Sequence, residues 1–241
     1  MPFPAGFAEP SPRLELGTPS YHRLKRAGYS LVTGGYLARI ICYTGAMTDS
    51  MLTEDRVRRA LKALGDLLEL RHEHHEVAVI GGTCMLLSRH SSRVTRDVDV
   101  VAAVDGSNIV AISQLPDSLG AAARDVALRL RLPADWLNAG PAGMTHGELP
   151  EGFLGRCQIE RFSGLTVHLA GRLDMIAFKL FAAADQWGDP LDKHRSDLAL
   201  LSSTPDELQW AADWARQQDP SSGFAQLLGE LLAALAGGSA H

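Results

Sequence analysis

Hydrophobic residues first recur at a regular spacing just after residue 50. One face of a helix is indicated by apolar residues that recur at helical spacing, namely Val57, Leu61, Leu64, Leu67 and Leu68. Thr53 precedes this pattern and suits a helix start, and the pattern ends near Leu70. We therefore predict an amphipathic helix, followed by a polar connector over 71–76.

A short apolar run over 77–80 follows the connector and stops at Gly81-Gly82. Such a run bounded by glycines predicts a buried strand that turns sharply into a helix, here over 83–90. Residues 98–104 are rich in valine and predict a second strand.

The second half of the chain is mainly helical. A helix is predicted over 119–132, and a hairpin with strands at 158–162 and 165–169 turns at Ser163-Gly164. Further helices are predicted at about 172–187, 191–202, 205–217 and 222–236. Together these elements predict an α/β (α+β) fold, with a small mixed β-sheet, flanking helices and a C-terminal helical region.

Three segments are expected along the chain. Residues 1–50 contain five prolines and no sustained period, which predicts a poorly ordered N-terminal extension. Met47 and Met51 each stand directly before the first helix, so a mis-assigned translation start is an alternative explanation of this segment. Residues 51–170 would form the core, and 171–241 a helical region packed on it.

Composition narrows the class of protein. With 46% hydrophobic residues, the chain of 241 residues can bury a sizeable core. The net charge of −5 gives no overall basic field, so RNA would bind only through a local patch. The three cysteines are far apart and lack metal-ligand spacing, and no apolar run is long enough to span a membrane. We expect a cytoplasmic protein without a membrane partner.

The first candidate for chemistry is Gly81-Gly82 at the strand-to-helix turn. Residues without a Cβ let backbone amides approach a phosphate closely, and the following helix start adds unpaired N–H groups. A tight turn alone would also favour two glycines here, and both interpretations stay open.

The second candidate is the pair Asp97 and Asp99. On a strand, residues two apart share one face, with Cα atoms roughly 6–7 Å apart. A Mg²⁺ ion between the two carboxylates would relieve their repulsion, whereas the alternative is a solvated strand edge with two surface acids. Arg93 and Arg96 flank the pair, and would either donate to phosphate oxygens or remain solvated loop charges.

In this order the residues resemble the minimal type of the nucleotidyltransferase superfamily. The span VAVIGGTCMLLSRHSSRVTRDVDVV is similar to its first motif, in which a strand, Gly-Gly and a helix precede Asp-x-Asp. The span FKLFAAADQWGDPLDKHRSDLALL is similar to a helical motif of AbiEii-like toxins and of related nucleotidyltransferase-like families. LPADWLN, at 132–138, also looks like those relatives, and the resemblance covers about 51–203.

The resemblance implies an NTP as substrate and Mg²⁺ bound by Asp97 and Asp99. The catalytic residues that it implies are Asp97, Asp99, Lys179 and Asp197. The nucleotide-binding residues would be Gly81, Gly82, Thr83, Arg96 and Lys179. Active members transfer a nucleoside monophosphate, and some toxins of this type modify tRNA ends. A tRNA or protein acceptor and a cognate antitoxin or partner protein are therefore implied as well.

Two features depart from the family pattern. Many nucleotidyltransferases have a third carboxylate on a later strand, where this chain offers His168, with Glu160 on the preceding strand as a substitute. AbiEii-like toxins usually show Lys-Asp in the second motif, where this chain has Lys193-His194. Both departures bear on catalytic competence more than on the fold.

Helical spacing leaves two roles open for the later motif residues. Lys179 lies on the border of an apolar stripe, from which it would reach into a cleft or extend to water. Asp197 lies four residues after Lys193, so a surface ion pair is the alternative to a place in the site. His194 is interpreted as a histidine at the edge of the core.

Mg²⁺-dependent nucleotidyl transfer to an RNA or protein hydroxyl is the function predicted first, in a toxin–antitoxin or phage-defence setting. The alternative is a catalytically degenerate binding module on the same fold, acting with a protein partner. A helical scaffold built on 172–236 is a third reading.

Overall fold

A mixed sheet organises the described part of the chain, which comprises residues 51–143, 148–188 and 193–238 of a computed structural model. Its strands are β1 (His75–Ile80), β2 (Val98–Asp105), β3 (Asn108–Ala111), β4 (Leu137–Asn138), β5 (Gln158–Phe162) and β6 (Leu165–Leu169). The helices are α1 (Glu54–Leu70), α2 (Gly81–Leu87), α3 (Asp117–Leu130), α4 (Phe153–Arg156), α5 (Arg172–Asp185), α6 (Lys193–Leu200), α7 (Pro205–Gln218) and α8 (Ser222–Gly238). The extension predicted at 1–50 lies outside the described residues.

Strand β1 lies inside the sheet, whose order is β3-β2-β1-β6-β5. It pairs antiparallel with β2 and parallel with β6, while β4 pairs parallel with the start of β2. All residues from Val77 to Ile80 are buried, which explains why this strand is a continuous apolar run. The predicted fold class is confirmed: a mixed sheet with flanking helices and further helices at the C-terminus.

Most predicted elements are present, with corrections at their ends and three short additions. The hairpin has its predicted bounds, but β1 begins at His75, inside the predicted polar connector, because His75 pairs with Leu165 of β6. The helix predicted over 83–90 begins at Gly81 and ends at Leu87. Strands β3 and β4 and helix α4 have no counterpart among the predictions, since each has at most four residues.

Helix α1 covers one face of the sheet with the stripe that its sequence predicts. Four residues of that stripe are fully buried, and the fifth, Leu67, is partly buried. Thr53 caps the helix by accepting a hydrogen bond from the backbone N–H of Arg56. At Gly65 the helix touches the β5–β6 hairpin directly, because the Gly164 N–H donates to the Gly65 carbonyl at 3.1 Å. A Cβ on Gly65 would lie 1.7 Å from the backbone oxygen of Phe162.

Gly65→Ala is therefore expected to lower the free energy of unfolding by about 3 kcal/mol, as overpacking forces the helix and hairpin apart. Urea denaturation followed by circular dichroism measures the change. Gly229→Ala is the control, because no atom lies within 4 Å of a Cβ there and alanine favours the helix. Equal stability of Gly65→Ala and the wild type would contradict the close packing of α1 on the hairpin.

The C-terminal helices pack around α5, which contacts α6, α7 and α8. Phe178 of α5 meets Trp214 of α7 edge-on, with ring centroids 5.2 Å apart. Arg172, at the start of α5, also pairs with Glu207, which belongs to the capping box of α7. The position of α5 is thereby fixed. The division into a core at 51–170 and a helical region at 171–241 stays a prediction.

Candidate active site

The predicted glycine turn follows β1 directly and lies against the start of β2, where Asp99 stands. Ile80 pairs with Asp99 in the antiparallel ladder, and Gly81 follows with φ of 80°. A Cβ on Gly81 would lie 2.4 Å from Asp99 Oδ2, so only glycine combines this backbone conformation with such a close approach. A Cβ on Gly82 would likewise lie 2.6 Å from Thr95 Oγ1. The two sequence motifs therefore meet at one end of the sheet.

Two threonines hold the backbone that carries the acid pair. Thr83 Oγ1 donates to the carbonyl oxygen of Asp97 at 2.8 Å, and Thr95 Oγ1 donates to the same oxygen at 3.2 Å. Thr95 is itself held by a two-way backbone bridge with Leu52. Because Thr83 is buried with its hydroxyl on Asp97, it helps to position the acid pair, and its role in nucleotide binding stays a prediction.

Asn138 stands beside Asp99 on the short strand β4. Its side-chain N–H donates to Asp99 Oδ1 at 3.4 Å, while its Oδ1 accepts from the Gly140 N–H at 2.8 Å. The sequence favours a turn-forming role for Asn138, which precedes a Gly/Pro loop, over a place in the cleft. The structure gives Asn138 both a turn and a contact with the acid pair, a contact that needs strand pairing across 39 residues.

The acidity of Asp99 is perturbed by its surroundings. Burial, and next the neighbouring Asp97 charge, raise its pKa to about 6. Asn138, Lys193 and Lys179 act in the opposite direction. The pKa remains raised despite these three groups, so the site can accept more positive charge than it holds.

Lys179 and Asp197 come together in the interior beside this pair. Lys179 Nζ lies 2.6 Å from Asp197 Oδ2, and their side chains are 5% and 0% exposed. Arg93 donates from Nη2 to the other oxygen, Asp197 Oδ1, also at 2.6 Å. Asp197 therefore pairs with two cations and not with Lys193 on the surface, and Lys179 does not extend to water.

Half-buried His194 stands next to these charges. Burial, with Lys179 and Lys193 nearby, lowers its pKa to about 3, so the ring is neutral at pH 7. Its interpretation as a histidine at the core edge agrees with this burial. Arg96, predicted to bind nucleotide, is exposed directly before Asp97.

Neither substitute for a third carboxylate lies at this site. Glu160 is on β5, three strands from β2, where it pairs with Arg58 at 2.7 Å. His168 pairs with Glu76 at 3.0 Å, and strand spacing puts its Cα roughly 12 Å from that of Asp99. Within residues 51–143, 148–188 and 193–238, no three His, Cys, Asp or Glu side chains converge as a metal site.

A comparison with protein families decides what this arrangement belongs to. The family described as "Nucleotidyltransferase of unknown function (DUF6036)" matches residues 56–199, more than half of the chain. The chain belongs to this family. No curated protein and no solved structure is significantly similar to it.

Membership of this nucleotidyltransferase family confirms the superfamily resemblance but does not extend to AbiEii-like toxins. The match contains the glycine turn, the acid pair, Lys179 and Asp197, while α7 and α8 lie beyond its end. A nucleotide substrate follows from the family description. None of the described helices combines the length and apolar character that crossing a membrane requires.

The raised pKa of Asp99 predicts that Asp99→Asn stabilises the free nucleotidyltransferase. The folded-state pKa of about 6 exceeds the ordinary 3.8, so the native state loses stability as pH rises through 6 and Asp99 ionises. Asparagine mimics the protonated acid. At pH 8, without divalent metal, we expect a gain of roughly 2 kcal/mol, or about 4–8 °C in Tm.

Differential scanning calorimetry in EDTA at pH 8 and pH 4.5 measures this effect, which should shrink at the lower pH. Asp105→Asn, at the exposed end of the same strand, is the control and should leave Tm unchanged. A lower Tm for Asp99→Asn than for the wild type at pH 8 would contradict the burial of an uncompensated charge.

Proposed function

We propose that this protein is a Mg²⁺-dependent nucleotidyltransferase that moves a nucleoside monophosphate from an NTP to a hydroxyl of an RNA or a protein. One observation carries the proposal: Asp99 lies against Gly81, with Asp97 beside it and Lys179 within electrostatic reach. Family membership supports the reaction class.

The donor set fits Mg²⁺. Asp97 and Asp99 offer hard carboxylate oxygens, which Mg²⁺ binds together with waters and substrate phosphates. Their mutual repulsion and the raised pKa of Asp99 support a cation between them, because a positive charge would relieve that repulsion. When bound, Mg²⁺ would neutralise charge on the phosphoryl oxygens.

The residues of the chain would then position the reactants. The backbone N–H groups that follow Gly81 would face the triphosphate, since the glycine turn leaves no Cβ in the way. Lys179, kept in place by Asp197, would balance phosphate charge. The acceptor oxygen bonds to the α-phosphorus, the bond to the bridging oxygen breaks, pyrophosphate leaves, and the hydroxyl proton passes to solvent.

The test is incubation of the full chain with each α-labelled NTP, Mg²⁺ and either total tRNA or cell protein. Label transferred to one acceptor, with stoichiometric release of pyrophosphate, is the expected result. If no NTP labels either acceptor and none binds, the proposal is wrong.

A second candidate is a binding module that retains the fold but not the reaction. It is favoured by the neighbour of Asp99, which is the amide Asn138 and not a carboxylate. The engagement of Glu160 and His168 elsewhere in the sheet favours it as well. Such a module would act with a protein partner, and its place in a toxin–antitoxin or phage-defence pair rests on resemblance alone. NTP binding without transfer, unchanged in Asp97→Ala and Asp99→Ala, would favour this candidate.

A further inference from the structure

Arg93 is joined to the candidate site by a buried carboxylate. Its guanidinium donates from Nη2 to Asp197 Oδ1 at 2.6 Å, while Asp197 Oδ2 contacts Lys179 at 2.6 Å. A single fully buried acid thus links the loop before the acid pair to α5. The contact spans 104 residues of sequence.

The backbone segment that carries Arg93 is restrained, and the guanidinium is held by Asp197. Two residues later, Thr95 is held by its backbone bridge to Leu52 and by its hydroxyl bond to Asp97. Arg93 therefore sits on a restrained segment that runs directly into the metal-binding acids. This restraint reduces the entropy lost when the guanidinium binds a ligand.

Arg93 shares its carboxylate partner with a second cation. Asp197 pairs with both Lys179 and Arg93, so it does not saturate the donors of the guanidinium. The side chain of Arg93 is 44% exposed, and no other side chain among the described residues accepts a hydrogen bond from its guanidinium. Its remaining N–H donors are available to an anion, in the forked geometry that suits phosphate oxygens.

We propose that Arg93, positioned by Asp197, is a phosphate-binding residue of this site and takes the β- and γ-phosphates of the NTP, which leave as pyrophosphate. The inference rests on the proposed function, because the ligand must lie on the acid pair. It assigns Asp197 the part of a positioning residue, since a fully buried carboxylate between two cations does not reach substrate.

The experiment is calorimetric titration of the full chain with magnesium pyrophosphate, a probe that does not depend on which NTP is used. Arg93→Gln should raise Kd at least tenfold, and Arg93→Lys, which keeps the charge but not the fork, at least threefold. Arg71→Gln is the matched control: Arg71 pairs with Asp125 at 2.6 Å and is 35% exposed. Its Kd should stay within twofold of the wild type.

A purely structural role is tested by Mn²⁺ binding without pyrophosphate, followed by electron paramagnetic resonance. Arg93→Gln should bind Mn²⁺ within twofold of the wild type, and loss of Mn²⁺ binding would overturn a direct contact with phosphate. If Arg93→Gln does not fold, Arg93→Lys decides, and an unchanged pyrophosphate Kd overturns the inference. Wild-type protein that binds no magnesium pyrophosphate would overturn the proposed function as well.

Discussion

Asp97→Asn and Asp99→Asn should each lower the rate of nucleotide transfer at least about 10³-fold. Each change removes one of two carboxylate charges that would hold Mg²⁺, and the stabilisation of transition-state charge by a metal contributes several kcal/mol. The amide is close in size to the acid, so packing against Gly81 is retained. Transfer of labelled nucleotide at saturating NTP measures the rate.

Asp105→Asn is the matched control for these two variants, because it removes the same charge from the exposed end of β2. It should keep the wild-type rate within twofold. Circular dichroism should show that all three variants are folded. A residual rate above one tenth of the wild type in either Asp97→Asn or Asp99→Asn would remove the acid pair from the proposed metal site.

Asp197→Ala should lower the free energy of unfolding by about 3–5 kcal/mol, because it leaves Lys179 buried without its carboxylate. Asp197→Asn should cost less, since the amide oxygen still accepts one hydrogen bond. Both should also weaken transfer, as Lys179 and Arg93 lose their common anchor. Urea denaturation monitored by tryptophan fluorescence gives the stability of each variant.

Asp213→Ala provides the comparison, because Asp213 forms an ion pair with Arg216 at 2.8 Å on the surface. Exposed pairs contribute little, so this variant should lose less than about 1 kcal/mol. Equal losses for Asp197→Ala and Asp213→Ala would mean that the buried cluster contributes no more than a surface pair.

Sequence patterns predict the elements whose conformation depends on residues that are close together in the chain. The β5–β6 hairpin has its predicted bounds because alternating strands flank a Ser163-Gly164 turn. Strand β3 shows no such pattern, since all of its residues are exposed at the sheet edge. Strand β4 is defined by its pairing with β2, and no pattern in its two residues predicts that pairing.

The candidate site also contains some contacts that the sequence predicts and others that it does not. The glycine turn and the acid pair are adjacent motifs, so sequence spacing predicts that they meet. Lys179 is expected at a stripe border, and Asp197 either in the site or in a surface pair with Lys193. Both are buried, because α5 and α6 pack against each other. The pairing of Arg93 with Asp197 joins residues from two distant segments, and no periodicity encodes it.

The amide at position 138 has an evolutionary consequence. Codons for asparagine and aspartate differ by one base, so a single point mutation would place a third acid beside Asp97 and Asp99 at the proposed metal site. Burial already raises the pKa of Asp99, so a further ionised acid at position 138 would lower the stability of the metal-free protein. Selection for stability would therefore favour asparagine at position 138, and selection for faster transfer would favour aspartate.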